Sequence, residues 1–182
     1  ADERASDFVH IRALLEGFLE SEDSEAAPRA AYNIYSGLTQ LDALIGGLKP
    51  GNLIIVAART SFGKTSLMLG IARNAAVTQN ARVAYFSLEM SSSEVAERLL
   101  GSEARLETKR LRLGQQDEGE EQRFMQAHGL LSESNIYIDD TAGLRIDELR
   151  VKCLRLAGQK GIDLAVVDYL QLLASGKSFQ QR

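Results

Sequence analysis

The segment from residue 53 to residue 77 places a glycine-containing turn between two runs of different periodicity. Residues 53–57 are apolar and rich in β-branched side chains, which predicts a buried strand, and residues 64–77 have the apolar spacing of a helix. Between the two runs lies the triplet Gly63-Lys64-Thr65. In this context the backbone N–H groups of the turn and of the helix start can surround phosphate groups. We therefore expect a nucleoside triphosphate site here.

Each residue of the turn has a chemical reason to be there. Gly63 lets the main chain approach a phosphate without a Cβ, Lys64 brings a positive charge to the β and γ phosphates, and Thr65 offers a hydroxyl to Mg²⁺. Ala58 stands where the strict G-x-x-x-x-G-K-[ST] pattern has its first glycine, so the loop entry must suit an L-residue. The predicted nucleotide-binding residues are Ala58, Arg59, Thr60, Ser61, Phe62, Gly63, Lys64, Thr65 and Ser66.

Two carboxylates follow other apolar runs. Asp168 ends the run at residues 164–167, and Glu89 follows the run at residues 83–87. Because the carboxyl ends of parallel strands meet at one edge of a sheet, both acids are expected near the phosphate loop. We predict that Asp168 holds Mg²⁺ through water and that Glu89 is the general base for the attacking water. The alternatives are a structural role for Asp168 and an exposed acid beside the next helix for Glu89.

A further pair of acids, Asp139 and Asp140, ends the run at residues 136–138. Residues 140–143 match the D-x-x-G of GTPase switch loops, so a GTPase is one alternative. No [NT]-K-x-D follows to read guanine, since residues 108–111 lack the final Asp. This argues against a GTPase. Asp140 lies either close behind the site, or in a turn that Thr141 begins.

The apolar runs alternate with helical patterns, which predicts an α/β fold with a mostly parallel sheet flanked by helices. Ser91 with Glu94, and Thr39 with Asp42, have the spacing of capping boxes at helix starts. The predicted strands are residues 53–57, 83–87, 136–138 and 164–167, and the predicted helices are residues 64–77, 93–102, 116–131 and 146–159.

Composition narrows the class of protein. The 182 residues are 45% hydrophobic with a net charge of -4, which is typical of a soluble globular protein and not of a freestanding nucleic-acid-binding domain. No apolar run approaches the ~20 residues of a membrane-spanning helix. The single cysteine, Cys153, excludes an internal disulfide and is in register with Leu149 and Leu156, which predicts packing in a core.

An amphipathic helix is predicted at residues 8–19, followed by a polar linker at residues 20–31. This arm either folds back on its own domain or docks on a neighbouring copy, and the polar linker favours the second. Its apolar stripe consists of Phe8, Ile11, Leu15, Phe18 and Leu19.

With these motifs in place, the chain resembles the ATPase domain of DnaB-type replicative DNA helicases, which are ring motors with a RecA-like P-loop core. The match extends from about residue 35 to residue 174. The segments that carry it are SGLTQLD at residues 36–42, GGLKPG at 46–51, LIIVAAR at 53–59, GKT at 63–65, FSLEM at 86–90, IYIDDT at 136–141 and VDYLQ at 167–171.

The resemblance implies a homo-hexameric ring that couples ATP hydrolysis, with Mg²⁺, to translocation on single-stranded DNA at a replication fork. Residues 8–19 resemble the linker helix that packs on the adjacent subunit. Residues 1–31 would then be the linker helix and polar linker, and residues 32–182 the N-terminal part of the ATPase domain. Primase and a helicase loader are the implied partners, in the cytoplasm, in a bacterial or phage replisome and without a membrane.

By position in the family's motifs, Lys64 and Thr65 bind phosphate and Mg²⁺, Glu89 is the catalytic glutamate and Asp168 is the Walker B aspartate. The arginine finger and DNA-binding loops of the family would lie beyond Arg182, so we expect this chain alone to hydrolyse ATP weakly or not at all. Two alternatives stay open. One is a RadA-like recombination ATPase, although no cysteine cluster precedes the domain, and the other is a ring-assembly module without its own turnover.

Overall fold

The computed structural model describes Ile11 and residues 33–59, 61–113 and 117–173, and the chain divides into two compact units, Ala1–Tyr32 and Asn33–Arg182. Apart from Ile11, which is helical, the predicted helix at residues 8–19 lies outside the described residues. Within the second unit the helices are α1 (Thr39–Ile45), α2 (Lys64–Arg73), α3 (Ser92–Ala104), α4 (Thr108–Leu113), α5 (Glu118–Ser132) and α6 (Ile146–Gln159), and the strands are β1 (Val83–Ser87), β2 (Ile136–Asp139) and β3 (Leu164–Asp168). A π-helical turn, Asn74–Thr78, extends α2, and a 3₁₀ turn, Leu170–Leu172, follows β3.

The three strands form a parallel sheet in the order β2-β1-β3. Val83 pairs with Ile136 on one side and with Leu164 on the other, and the β1–β3 register ends with Ser87 opposite Asp168. Every residue of β1 is buried, as expected for the central strand of a sheet covered on both faces. The predicted α/β fold with a parallel sheet flanked by helices is confirmed.

Three of the four predicted strands are confirmed, two of them extended by the acid that follows the apolar run. The prediction of a strand at residues 53–57 is wrong: this segment is irregular, with Leu53 87% and Ile55 72% exposed. A strand is defined by its hydrogen-bonded neighbour. No described strand pairs with this segment, since the sheet contains only β2, β1 and β3 among the described residues.

The four helices predicted between residues 64 and 159 are all present, and the one at residues 146–159 has the predicted bounds. The capping box of Ser91 and Glu94 is confirmed, since each side chain accepts the backbone N–H of the other residue. The box predicted for Thr39 and Asp42 is wrong. The Asp42 carboxylate instead accepts the N–H groups of Ser36 and Gly37, which lie before α1. Helix α4 was missed, because six residues are too few to show a period.

Alternate residues of β1 face two separate hydrophobic clusters. Val83 and Tyr85 belong to the cluster that includes residues of α2 and α3, while Ala84 and Phe86 pack with residues of α6 on the other face. Cys153 lies half-buried in this second cluster, as its register predicts. Burial raises the pKa of its thiol, so the residue is suited to packing and not to nucleophilic chemistry.

A contact from Asp140, the residue after β2, fixes the start of α3. One carboxylate oxygen of Asp140 accepts the backbone N–H of Ser92, the first residue of the helix, at 2.7 Å. This N–H has no acceptor within the helix, and the positive end of the helix dipole favours the negative charge. The hydrogen bond from Ser92 holds the pKa of the Asp140 carboxyl below its ordinary value.

This contact predicts a pH-dependent contribution to stability. Because the folded-state pKa of Asp140 is depressed, its contribution is full above the unfolded pKa and is lost as the pH falls through the folded pKa. Asp140→Asn keeps an acceptor oxygen without the charge. The difference in unfolding free energy between wild type and Asp140→Asn, measured in urea at several pH values, should favour wild type near pH 7 and shrink in acid. A difference that grows on acidification would contradict the assignment.

Candidate active site

The Gly63-Lys64-Thr65 turn forms the start of α2. Gly63 has a φ of 79° and immediately precedes the helix, which begins at Lys64. Just before it, the Phe62 N–H donates to the Arg59 carbonyl at 3.3 Å, and Ser61 has a φ of 67°. Two left-handed residues in this short turn reverse the chain into the helix. The N–H groups of the first helical turn of α2, which have no acceptor within the helix, therefore lie beside this turn, as a phosphate site requires.

Lys64 and Asp168 meet at the carboxyl edge of the sheet. Their closest charged atoms, Lys64 Nζ and Asp168 Oδ1, are 3.2 Å apart. Asp168 is 4% exposed and ends β3, and its carbonyl accepts the Leu88 N–H beyond the end of β1. Lys64 Nζ also lies 3.9 Å from the centre of the Tyr169 ring, within the range of a cation–π interaction. The predicted meeting of the phosphate loop with the strand-terminal aspartate is confirmed.

Packing and an ion pair hold α2 in the position that this contact needs. Leu69 and Ala72 bury one side of the helix against the sheet. At its far end, Arg73 donates through Nε and Nη2 to the two carboxylate oxygens of Glu103 on α3, each at 2.6 Å. Such a two-point contact restricts rotation of the helix more than a single charge pair does.

The two oxygens of Asp168 have different surroundings. Oδ2 accepts the hydroxyl of Tyr85 at 3.3 Å. Oδ1 is buried and has no hydrogen-bond partner among the described residues, although Lys64 Nζ lies close enough for an ion pair. The two observations agree if the ammonium is near but poorly aligned as a donor. A buried acceptor in this state is costly for folding and well suited to hold a cation or its hydration water.

Burial, the neighbouring charge of Asp168 and the hydrogen bond to its carboxylate all raise the pKa of Tyr85. The hydroxyl therefore keeps its proton at physiological pH and can only donate to this carboxylate. Tyr85 and Tyr169 were both missed as site residues. The available signal was a tyrosine in the middle of an otherwise apolar central strand, because a buried phenol needs a polar partner.

Most of the other predicted site residues are exposed. Glu89 lies two residues beyond β1 at the same edge as Asp168; its side chain is exposed and has no hydrogen bond or ion pair within the described part of the chain. Thr65 is half-buried in the first turn of α2. Their roles as base and metal ligand stay predictions. Ala58, Arg59, Ser61, Phe62 and Ser66 are exposed, and Thr60 lies outside the described residues.

Mg²⁺ fits the donor set that is present. The described residues contain no cluster of three or more His, Cys, Asp or Glu side chains able to hold a metal ion by themselves. Mg²⁺ commonly uses one or two protein oxygens together with water and phosphate oxygens. Asp168 Oδ1, which lacks a hydrogen bond, and the Thr65 hydroxyl are of the required kind.

Asp140, which begins the D-x-x-G segment, and the preceding Asp139 make contacts within the fold. Asp140 binds the start of α3, and Asp139 accepts the Thr141 N–H and the ammonium of Lys152. Burial raises the pKa of Asp139, but these hydrogen bonds outweigh it and leave the pKa below its ordinary value. Both acids thus have a function in the fold without a nucleotide.

A parallel α/β domain that sets the lysine of a Gly-Lys-Thr turn beside a strand-terminal aspartate has the arrangement typical of P-loop nucleotide-binding domains. Residues 33–182 match the family described as DnaB-like helicase C terminal domain. The chain belongs to this family, and its fold is the RecA-like fold of DnaB-type ATPase domains.

Relatives and solved structures agree with the family. The chain is 39% identical over 163 residues to the replicative DNA helicase DnaB of Leifsonia xyli subsp. xyli, covering 90% of this chain and 36% of that protein. It is 43% identical over 150 residues to the replicative DNA helicase DnaC of Bacillus subtilis, covering 82% and 33%. It therefore spans about a third of the length of these relatives.

Two solved structures superpose closely. One, described as an ATPase domain, matches with a TM-score of 0.82 and 28% identity, over 96% of this chain and 62% of that one. A DnaB-like replicative helicase, described with its interactions with primase, matches with a TM-score of 0.81 and 29% identity, over 93% and 41%. Among the described residues, no helix is long and apolar enough to cross a membrane.

The turn before α2 gives a prediction with an internal control. A Cβ would meet no atom within 4 Å at Gly63 or at Gly70, but only Gly63 has a positive φ. Gly63→Ala should therefore lower the free energy of unfolding by about 1–2 kcal/mol through backbone strain. Gly70→Ala, inside α2, should raise it by about 0.4–1 kcal/mol. Urea unfolding of both variants measures the difference, and equal effects would rule out the strain.

Proposed function

We propose that this chain is part of the ATP-driven motor of a ring-shaped replicative DNA helicase, which unwinds duplex DNA by translocating on single-stranded DNA. The observation that carries the proposal is the 3.2 Å contact between Lys64 and Asp168 in a domain of the DnaB-like family. In this proposal residues 32–182 are the N-terminal part of the ATPase domain, and residues 1–31 are the linker helix and its polar linker.

The nucleotide is ATP, and its triphosphate lies over the start of α2. The N–H groups of the turn at residues 58–65 donate to phosphate oxygens, and Lys64 Nζ neutralises charge on the β and γ phosphates. Thr65 and, through water, Asp168 would hold the magnesium ion. When bound, Mg²⁺ offsets phosphate charge and fixes the orientation of the γ-phosphate.

Glu89 acts on the attacking water. Its position just beyond β1, beside the carboxyl end of β3, supports a place near the γ-phosphate. Because the side chain is exposed and has no partner among the described residues, it is available to accept a hydrogen bond from water. Glu89 orients this water and accepts its proton as the oxygen attacks the γ-phosphorus, while the bond from the γ-phosphorus to the bridging oxygen breaks and ADP leaves.

The ring is a homo-hexamer in which residues 8–19 dock on the neighbouring copy. Single-stranded DNA is the track, and primase and a helicase loader are its partners in a bacterial or phage replisome of the cytoplasm. The support for primase is the solved relative described with its primase interactions. The support for the replisome is the similarity to bacterial replicative helicases.

The role of Glu89 is tested in the full-length protein with single-stranded DNA. Glu89→Gln removes the base and keeps the shape, so the ATP hydrolysis rate should fall by about 10²–10⁴-fold while nucleotide affinity is kept. Glu133→Gln, the same change at the exposed residue just after α5, is the matched control and should leave the rate unchanged. An unaltered rate in Glu89→Gln would remove Glu89 from the mechanism and favour a ring-assembly module in which nucleotide binding alone matters.

A further inference from the structure

We propose that Tyr85 is a positioning residue for the Asp168 carboxylate: its hydroxyl engages Oδ2 and thereby turns Oδ1 toward Lys64 and the magnesium site. The inference rests on the proposed function, because it assigns Tyr85 a part in metal-dependent nucleotide binding. Without that function, Tyr85 would be a core residue, and the contact of its hydroxyl with Asp168 would have no role in nucleotide binding.

The sheet register brings Tyr85 within reach of Asp168. In the β1–β3 pair, Tyr85 lies opposite Val166 and Ser87 lies opposite Asp168. Positions two apart on a strand share a face, so Tyr85 and Asp168 are diagonal neighbours on the same face of the sheet. An aromatic side chain spans such a diagonal, and the phenol adds the hydroxyl that meets the carboxylate.

The contact between the Tyr85 hydroxyl and the Asp168 carboxylate is buried. Tyr85 is 1% exposed and Asp168 4%, so water has little access to either group. A buried phenol that served packing alone would gain from losing its hydroxyl, because an unpaired hydroxyl in a core is costly. The ring packs among apolar residues of the cluster shared by α2 and α3, and its hydroxyl reaches the Asp168 carboxylate at the site.

The length of the hydrogen bond from Tyr85 to Asp168 indicates that it orients the carboxylate more than it stabilises the fold. At 3.3 Å it exceeds the usual ~2.5–3.0 Å for an O–H donor, so a modest contribution to stability is expected. The effect on the carboxylate is directional: one oxygen is engaged by Tyr85, and the other lies 3.2 Å from Lys64 without a hydrogen bond. Residues behind a metal-binding group orient it in this way.

The test compares two Tyr→Phe variants of the full-length protein. Tyr85→Phe removes only the hydroxyl from the Asp168 contact. Tyr137→Phe makes the same change on β2, where Tyr137 pairs with Ala84 and therefore belongs to the opposite face of the sheet. Both keep the ring, so both should fold, which thermal unfolding verifies. The affinity for a fluorescent ATP analogue is measured with Mg²⁺ and with EDTA.

In Tyr85→Phe the affinity in Mg²⁺ should weaken by about tenfold, the lower end of the effects seen for residues behind metal ligands, since Asp168 acts through water. The affinity in EDTA should be unchanged, and Tyr137→Phe should match wild type in both conditions. The Mg²⁺ concentration for half-maximal ATP hydrolysis should rise in parallel for Tyr85→Phe alone.

Two results would overturn the inference while leaving the proposed function intact. One is equal Mg²⁺ dependence in Tyr85→Phe and Tyr137→Phe. The other is an equal loss of affinity with Mg²⁺ and with EDTA, which is the signature of a purely structural role. A wild-type protein without Mg²⁺-dependent nucleotide binding would overturn the proposed function, and this inference with it.

Discussion

The pairing of β1 with β3 determines where the carboxylate of the candidate site, Asp168, lies. Its register ends with Ser87 opposite Asp168, so the carboxylate emerges at the edge of the sheet and not within it. There it meets Lys64, whose position is set by the turn that starts α2. A shift of the register by one residue would move the Asp168 side chain to the other face of the sheet, away from α2.

The fold holds this edge from both sides of β1. On one face α2 and α3 pack against Val83 and Tyr85, and on the other α6 packs against Ala84 and Phe86. Contacts at the carboxyl edge also link neighbouring segments, since Asp140 accepts the Ser92 N–H at the start of α3, three residues after Glu89. The buried carboxylate of Asp168 is a cost to folding, which the nearby Lys64 ammonium and Tyr85 hydroxyl offset in part.

Local sequence patterns predicted most of the helices and strands and the edge of the sheet where the site lies, but not every contact. The run ending in Asp168 and the Gly63-Lys64-Thr65 turn have strong local signals, and the edge rule for parallel strands brought them together. The strand predicted at residues 53–57 was wrong because a strand needs a neighbour, which no local pattern reveals. Tyr85 was missed for a related reason, since its partner is set by the register with β3, 83 residues away. The cap that Asp140 provides to Ser92 is equally non-local.

In the proposed function, Lys64 binds a nucleoside triphosphate beside Asp168. Calorimetric titration of ATP with Mg²⁺ into the full-length protein tests it directly, with Lys64→Met beside wild type and Lys49→Met, an exposed lysine before the loop, as the matched control. Loss of a charge-assisted contact should weaken binding by at least about tenfold in Lys64→Met and leave Lys49→Met unchanged. Equal affinity in wild type and Lys64→Met would rule out this role for Lys64.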